Sequence, residues 1–474
     1  MPFFNPKNLE NWSGGKWNQA PSNGICGFSI DSRLIKKGEL FIAIKADRDG
    51  HDYLDKAVNA GAGGALVENI NPSSEIPQLR VDDTLRAFQE IARNHRNQFT
   101  KPVVGITGSC GKTSTKEVLS HLLPRAVSTE GNFNNHLGVP LTLLRIDQKE
   151  HQFAVIEAGI NQAGEMTELQ EMINCDFVVI TMVGQSHLAG LGSVNRVAEE
   201  KIKLWTEGEG DSKRWAIFPE SCLLYPSFKK ALKEKNQFLV LKNGNPGTKK
   251  FGINEAYFTI STETNEQGDS CVLKIWRHGS SMLSMDIPRV STGMASNLSI
   301  AALVASKLGV TDDEICERLP QYSPSTLRGN RLQGRGCEYF VDCYNANPSS
   351  MEDSVNFFQR ESRGKKKMLV LGGMEELGKN ARKLHHITGS RISLESQDLV
   401  ALVGEKASWI ASGLIDSGAK EEQVLVLDDL EDARPLLEDF NGNVLLKGSR
   451  SNNLETLIPS WATEPVDKQG NAKC

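Results

Sequence analysis

The chain has 474 residues, of which 39% are hydrophobic and 24% charged, and its formal net charge is −5. At roughly 150 residues per domain this length predicts about three domains, and the composition excludes a globally disordered chain. The small net charge gives no general electrostatic reason to bind nucleic acid or an anionic membrane, so we expect neither as a partner.

The sequence carries no pattern typical of export or of a membrane protein. Its apolar runs fall short of the roughly 18 residues that span a bilayer, and residues 1–7 lack the basic and then apolar order of a signal peptide. The nine cysteines are scattered without a Cys-x-x-Cys pair, which excludes a zinc ribbon and argues against a disulfide framework. We therefore expect a soluble, reduced protein of the cytoplasm.

The first hundred residues combine short strands with one helix. Apolar runs at 40–44 and 64–67 predict strands, and apolar residues at three-four spacing predict a helix from 83 to 99. Thr100-Lys101-Pro102 ends that helix, because the residue before a proline disfavours the helical conformation. The pattern predicts a small α/β domain over residues 1–99.

The rest of the chain predicts two further α/β units. Near-continuous apolar strands at 103–107, 153–156 and 177–181 are typical of a parallel sheet covered on both faces. Residues 236–290 alternate and are rich in polar residues, which predicts an antiparallel addition, and a helix at 296–308 closes a central domain of residues 100–318. A second alternating pattern then predicts a separate doubly wound, Rossmann-like domain over 319–474. Its strands are expected at 339–341, 368–371, 399–403, 424–427 and 444–446.

A glycine-rich loop follows the strand at 103–107 and precedes a helix that we expect to start near Ser114. Glycines let consecutive backbone N–H groups face phosphates, Lys112 adds positive charge, and the Thr113 hydroxyl is a Mg²⁺ ligand. The strict phosphate-loop pattern has glycine where Ile106 stands. A generic glycine turn is the alternative, but strand, Gly-Lys-Thr and helix together predict an ATP site. Its residues would be Gly108, Ser109, Cys110, Gly111, Lys112, Thr113 and Ser114.

A nucleotide loop alone does not separate a GTPase from a kinase or a ligase. A GTPase normally reads guanine with Asn-Lys-x-Asp, and the dipeptide Asn-Lys does not occur in this sequence. The GTPase hypothesis is therefore weak.

Six further strings stand out along the chain: IDSR at 30–33, NFNN at 132–135, HLAGLGS at 187–193, YNANP at 344–348, ELG at 376–378 and KGSR at 447–450. Together with the glycine-rich loop they resemble one known family, the ATP-dependent Mur ligases of peptidoglycan synthesis. The resemblance covers nearly the whole chain in the family's order, and it is greatest to the branch that adds D-alanyl-D-alanine to UDP-N-acetylmuramoyl-tripeptide. The string YNANP is the most specific to this branch, and the His-Thr-Pro and Asp-Asn-Pro-Arg strings of the tripeptide-forming branch do not occur.

The sequence departs from the family pattern in four places. Cys110 stands in the phosphate loop where Asn or another small residue is common, and Gly373 replaces a usual Asp. Residues 291–293 lack the usual Gly-Arg-His, and residues 45–48 lack a glycine. These departures bear on substrate contacts more than on the reaction.

The resemblance implies a reaction and its catalytic residues. ATP would phosphorylate a carboxylate to an acyl phosphate, which the amine of the dipeptide then attacks. Lys112 would neutralise the γ-phosphate, Thr113 and Glu157 would hold one Mg²⁺, and His187 and Lys201 a second. Lys201 matches a lysine that is carbamoylated in the family, which makes it a carboxylate-like anion, and Lys203 is the competing choice.

The remaining site residues are implied by the same matching. Asn297 and Asn345 would contact adenine, and Arg331 and Asp342 the phosphate and ribose region of ATP. Ser32 and Arg33 would bind the uridine diphosphate, while Asn134 and Asn135 would face the muramoyl peptide or the γ-phosphate. Residues 447–450 would be structural or would bind the dipeptide.

The implied cofactors are ATP and Mg²⁺, and we expect a monomer. The alternatives are another ligase of the superfamily, such as the tripeptide-forming branch or a folylpolyglutamate synthase, and a non-catalytic nucleotide-dependent binding protein. Asp31-Ser32-Arg33 favours a UDP-sugar over folate. Glu157, His187 and Lys201 together argue against a pure binding protein, which has no use for a second metal site.

Overall fold

The computed structural model describes residues 2–208, 214–235, 237–244, 257–265, 270–277 and 280–464. Their strands form three separate sheets, of five, nine and six strands in chain order. This is a three-domain α/β fold, as the sequence predicts. Across the described ranges, helices that combine the length and the apolar character needed to cross a bilayer are absent.

The first sheet has the strand order β1-β5-β4-β3-β2, in which β2 to β5 are parallel and β1 is antiparallel. The predicted strands at 40–44 and 64–67 and the helix at 83–99 are confirmed. The last of these begins after Asp83, whose carboxylate accepts a hydrogen bond from Arg86 N. The elements are α1 Pro6–Ser13, β1 Lys16–Trp17, β2 Phe28–Ser29, β3 Leu40–Ile42, α2 Leu54–Asn59, β4 Gly64–Val67, β5 Gln78–Arg80 and α3 Thr84–Asn97.

The central sheet has the order β14-β13-β12-β11-β10-β9-β6-β8-β7. From β7 to β12 in this order all neighbouring strands, β6 included, pair in parallel. The pairs β12–β13 and β13–β14 are antiparallel. The strands are β6 Val103–Thr107, β7 Ala126–Ser128, β8 Phe153–Glu157, β9 Phe177–Ile180, β10 Trp215–Pro219, β11 Phe238–Asn243, β12 Tyr257–Thr264, β13 Ser270–Arg277 and β14 Ser280–Pro288. The helices are α4 Lys112–Leu122, α5 Gly138–Leu143, α6 Glu165–Ile173, α7 Leu188–Leu191, α8 Val194–Thr206, α9 Pro226–Glu234, α10 Thr292–Lys307 and α11 Asp312–Arg318.

The predicted parallel strands of the central domain are confirmed, and two details differ. The antiparallel addition begins only at β12, because the first four residues of β11 are all buried and pair with β10 in the parallel interior of the sheet. Helix α10 starts at Thr292 rather than 296, because the Ser291 hydroxyl accepts a hydrogen bond from Met294 N. Residues 236, 245–256, 266–269 and 278–279 of the predicted addition lie outside the described residues.

The third sheet has the order β15-β16-β20-β17-β18-β19, with β15 antiparallel to β16 and the others parallel. The five predicted strands are confirmed. Strand β15 was not predicted, because its sequence is polar and half-exposed and therefore carries no apolar pattern. The elements are β15 Asn330–Gly334, β16 Cys337–Asp342, α12 Pro348–Glu361, β17 Lys367–Gly372, α13 Ala381–Ser390, β18 Leu399–Val403, α14 Glu405–Asp416, β19 Val424–Leu427, α15 Arg434–Glu438 and β20 Asn443–Lys447.

A buried arginine joins the first domain to the central domain. Arg96, near the end of α3, donates hydrogen bonds to Ile173 O at 2.8 Å and to Asn174 O at 2.7 Å, at the C-terminal end of α6. Carbonyls at a helix end lack partners within the helix and carry partial negative charge. The guanidinium therefore satisfies two such groups across the domain boundary.

Candidate active site

The glycine-rich loop lies between β6 and α4 and is held against the segment after β9. Ser109 N donates to Met182 O at 2.9 Å, and Gly184 N donates to the Ser109 hydroxyl at 2.9 Å. A Cβ at Gly108 would lie 1.8 Å from Thr181 Oγ1, and Gly111 has φ +80°. Both glycines are therefore required by this loop conformation. Lys112 Nζ donates to Gly108 O at 2.9 Å.

This loop opens into a cleft of about 470 Å³ between the central and third domains. Most residues that the sequence predicts for the nucleotide meet here, although they come from distant parts of the chain. Those lining the cleft are Ser109, Cys110, Gly111, Lys112, Thr113, Ser114, Asn134, Glu157, Asn297, Asp342 and Asn345. Gly108 lies behind the lining and supports the loop through its carbonyl.

Arg331 lies outside this lining. Its guanidinium is paired with Glu361 at 2.8 Å and with Glu338 at 3.5 Å, and it stacks 4.7 Å from the centroid of the Phe340 ring. Arg328 lines the cleft instead. Arg328 stands three residues before Arg331 and was not singled out in the sequence; the two differ in the fold because Arg331 lies in β15 and Arg328 precedes it.

Glu157 ends β8 with its carboxylate buried. One oxygen, Oε1, accepts a hydrogen bond from Asn134 Nδ2 at 2.7 Å, and Oε2 has no hydrogen-bond partner among the described residues. A buried carboxylate oxygen without a partner is costly unless something binds it. Thr113 lines the same cleft, so its hydroxyl and Glu157 Oε2 form an oxygen donor set suited to Mg²⁺.

Lys201 is fully buried in α8, and its amine has no hydrogen-bond partner within the described ranges. Burial lowers the pKa of Lys201 well below its ordinary value, and the positive charge of Lys112 lowers it further. Lys203, on the same helix, is partly exposed and pairs with Glu200 at 2.9 Å. The two lysines that the sequence left in competition are therefore in different environments, and only Lys201 faces the interior.

His187 precedes α7 with φ +52°, and its Nδ1 lies 2.5 Å from Glu376 Oε2 of the third domain. Burial lowers the pKa of His187, with Glu376 acting in the opposite direction, and the contact with His187 lowers the pKa of the Glu376 carboxyl. In the sequence, Glu376 is part of the ELG string at 376–378 and was given no role of its own. In the part of the chain that the structure describes, no three His, Cys, Asp or Glu side chains group together as metal ligands.

The third domain also contacts the phosphate loop directly. Asn347 begins α12, where its Oδ1 accepts from Ser350 N at 2.9 Å and its Nδ2 donates to Ser109 O at 3.0 Å. Lys447 is almost fully buried and lines the cleft, where its amine pairs with Asp342 at 2.8 Å and donates to Asn345 O at 2.8 Å. Sequence reasoning gave Asn347 no role, although it stands in the YNANP string.

A second, larger cleft of about 1250 Å³ lies between the first domain and the α5 side of the central domain. Ser32 and Arg33 line it. The Arg33 guanidinium is exposed and forms a bidentate pair with Asp31, which lowers the pKa of Asp31 to about 2. Asn135 lies in the turn before α5, where its Oδ1 accepts hydrogen bonds from Leu137 N and Gly138 N.

The chain is similar to known proteins over most of its length. The Mur ligase middle domain matches residues 106–305, and the Mur ligase, glutamate ligase domain matches residues 328–450. The UDP-N-acetylmuramoyl-tripeptide--D-alanyl-D-alanine ligase of Haemophilus influenzae is 30% identical over 446 residues, covering 91% of this chain and 92% of the relative. The chain is similar to a crystal structure of MurF from Acinetobacter baumannii, with TM-score 0.84, 27% identity and coverage of 97% and 98%. It is also similar to MurF ligase from Thermotoga maritima in complex with ADP, with TM-score 0.76, 26% identity and coverage of 91% and 96%.

Proposed function

This chain belongs to the Mur ligase family, and from that premise we propose that it joins D-alanyl-D-alanine to UDP-N-acetylmuramoyl-tripeptide with ATP, in peptidoglycan precursor synthesis. The observation that carries the proposal is the shared cleft, in which the phosphate loop, the buried Glu157 and residues of the third domain meet. The named relatives match over more than nine-tenths of both chains. A pure nucleotide-binding protein would have no use for the buried Lys201.

The reaction must bring two anions together. The carboxylate of the tripeptide attacks the γ-phosphate, which gives an acyl phosphate and ADP. The amine of the dipeptide then adds to the acyl carbon, loses a proton, and expels inorganic phosphate. Positive charge held in place before the reaction lowers the first barrier most. Lys112 supplies it, because the loop fixes its ammonium group within 2.9 Å of Gly108 O.

Thr113 and Glu157 are the residues that would hold Mg²⁺. The orphaned Glu157 Oε2 and the Thr113 hydroxyl fit an ion that takes oxygen ligands, often one or two from protein and the rest from phosphates and water. When bound, the ion would neutralise charge on the phosphate oxygens. Asn134 positions the carboxylate through its hydrogen bond to Oε1.

We assign Lys201 as the lysine that becomes carbamoylated, with His187 beside it at a second metal site. The amine nitrogen adds to the carbon of CO₂ and loses a proton, which leaves a carbamate anion with two oxygens. The support is the complete burial of Lys201 and its amine without a partner in the described part of the chain. A free buried amine is costly, whereas a carbamate bound to a cation is paired.

For the nucleotide we assign adenine to Asn297 and Asn345, and the ribose and phosphate region to Asp342. Arg328 takes the phosphate-facing role in place of Arg331, because Arg328 lines the cleft and Arg331 is held by two glutamates. Amide side chains both donate and accept hydrogen bonds, which suits a base edge.

We keep 1–99, 100–318 and 319–474 as the domain bounds, because β6 begins at Val103 and β15 at Asn330. A monomer suits the site, since one chain supplies both walls of the nucleotide cleft. We place the reaction in the cytoplasm, where ATP and UDP-linked sugars are available.

The uridine diphosphate is assigned to the second cleft, with Ser32 and Arg33 as contacts. An arginine suits a pyrophosphate because its planar fork donates two parallel hydrogen bonds. Arg33→Ala is therefore expected to raise the KM for the UDP substrate by roughly tenfold, as for loss of a charged hydrogen bond, with the KM for ATP unchanged. Arg86→Ala, on the exposed side of α3, is the control. An equal rise in both KM values would contradict the assignment.

The acceptor tests the proposed function directly. With UDP-muramoyl-tripeptide and ATP, we expect D-alanyl-D-alanine to stimulate phosphate release, whereas free lysine or diaminopimelate does not. A coupled phosphate assay with and without each acceptor measures this. Stimulation by a single amino acid together with UDP-muramoyl-dipeptide would move the protein to the tripeptide-forming branch instead.

A further inference from the structure

Helix α12 of the third domain lies against the segment of the central domain that leads into α10. We call this contact the α12 seam. Arg360 donates to Val290 O at 3.0 Å, and Glu361 pairs with Arg289 at 2.9 Å. The residues of the α12 seam are Arg289, Val290, Ser291 and Gly293 on one side and Asp353, Arg360 and Glu361 on the other.

Asp353 is the part of the α12 seam that touches the start of α10. Its Oδ1 accepts a hydrogen bond from Gly293 N at 3.0 Å, and its carboxylate is also hydrogen bonded to the Ser291 side chain. The Ser291 hydroxyl in turn accepts from Met294 N at 3.1 Å. The first N–H groups of a helix have no partner within it, and a carboxylate is favoured there. The third domain thus supplies a cap for a helix of the central domain.

The backbone of α10 comes close to this carboxylate. A Cβ at Gly293 would lie 2.5 Å from Asp353 Oδ2, so a larger side chain would displace the Asp353 carboxylate from this position. Residues 291–293 are also where the sequence departs from the Gly-Arg-His of its family. Small residues at 291–293 match the close approach of Asp353.

Both elements that Asp353 connects are part of the nucleotide cleft. Asn297 lies one turn along α10, and a Cβ at Gly111 of the phosphate loop would be 2.6 Å from its Oδ1. At the start of α12, Asn347 donates to Ser109 O of the same loop. Helix α12 therefore contacts the loop through Asn347 and α10 through Asp353.

We propose that Asp353 is a positioning residue that completes the nucleotide site, because it ties the start of α10 to α12 and so fixes Asn297 beside the phosphate loop. This rests on the proposed function only in taking an adenine nucleotide as the ligand. Asp353 also lines the cleft, and we assign its effect to the hydrogen bond that holds the start of α10. Loss of the hydrogen bonds between Asp353 and the start of α10 weakens nucleotide binding and leaves the second cleft unaffected.

Equilibrium binding of ADP to the full-length protein tests the proposal, alongside the KM values for ATP and for the UDP substrate. Asp353→Ala should weaken ADP binding and raise the KM for ATP about fivefold, as expected for loss of a helix cap, with the KM for the UDP substrate unchanged. Asp353→Asn keeps an acceptor for Gly293 N and should stay within about twofold of wild type. Glu352→Gln is the matched control, since this neighbouring carboxylate pairs with Arg391 within the third domain.

Gly293→Ala separates positioning from helix stability. Alanine favours a helix over glycine, so this change should stabilise α10 itself, yet its Cβ should displace Asp353 and weaken ADP binding. The double variant combines Gly293→Ala with Asp353→Ala, so the carboxylate is gone. The added Cβ should then lower the ADP affinity little below that of Asp353→Ala alone. Additive effects of the two changes, or wild-type ADP affinity in Asp353→Ala, would overturn the proposal. Absence of ADP binding by the wild-type protein would overturn the proposed function and this proposal with it.

Discussion

Replacing Lys112 by Ala is expected to lower the rate of ATP-dependent ligation at least about 100-fold, because it removes a preorganised group that stabilises charge in the transition state. The γ-phosphate and the attacking carboxylate are both anionic, and Lys112 is the side-chain cation within the loop itself. Its amine makes one hydrogen bond, to Gly108 O, so the change should leave the fold intact. The measurement is phosphate release at saturating ATP, tripeptide and dipeptide.

Lys229→Ala on the exposed side of α9 is the matched control and should keep wild-type turnover. A thermal unfolding midpoint for each variant shows that the loss lies in the reaction. Near-normal turnover of Lys112→Ala would show that the loop between β6 and α4 is not catalytic. The proposed function would then lose its main support, which is the cleft that this loop shares with Glu157 and the third domain.

Replacing Lys201 is expected to abolish activity, because neither an uncharged nor a positive side chain replaces a carbamate as an Mg²⁺ ligand. Lys201→Ala also opens a cavity in a fully buried position, so Lys201→Met is added as a variant of similar volume without an amine. Both should be inactive, and the methionine variant should stay as stable as the wild type, since it removes an amine without a partner. Formate or acetate should partly restore turnover to the alanine variant, whereas bicarbonate should not, because alanine has no amine to modify.

Lys203→Ala is the internal control for that experiment. Lys203 is partly exposed and pairs with Glu200 one turn away on α8, so its removal should leave most of the activity. An inactive Lys203→Ala with an active Lys201→Ala would reverse the assignment of the two lysines. Full activity in both would show that no modified lysine acts in the second site. Electron density beyond the Lys201 amine is a better observation than a mass shift of one CO₂, because carbamates are lost on acidification.

What the sequence predicts well is local. The buried parallel strands of the two larger sheets, such as β6 and β17, are continuous apolar runs. The phosphate loop is a contiguous string between a strand and a helix. Both are therefore visible without tertiary information. Strand β15 is polar and carries no apolar pattern. Strand β11 is predicted to be antiparallel because the sequence around it is polar, whereas in the structure it pairs in parallel with β10. In both cases the partner strand, which the local sequence does not reveal, decides the outcome. Helix α10 was predicted four residues short because the cap at Ser291 precedes its first apolar positions.

The same distinction between local patterns and long-range contacts applies to the site residues. Lys112, Glu157 and Asn297 belong to strings that a family pattern marks, and they line one cleft. Asn347 and Glu376 act across a domain interface, which no spacing along the chain reveals. Arg331 and Arg328 are alike in the sequence, and only the glutamates that surround Arg331 in the fold separate them.

The contact made by Arg96 bears on how the protein can be divided. The helical break at Thr100 marks a boundary in topology, yet the guanidinium on one side of it satisfies the carbonyls of Ile173 and Asn174 on the other. A chain cut at residue 100 would leave both carbonyls without their donor, and Arg96 would keep only its hydrogen bond to Phe99 O of the three. This contact couples the first domain to the central domain, although their sheets are separate. Excising the first domain is therefore expected to lower the stability of the second.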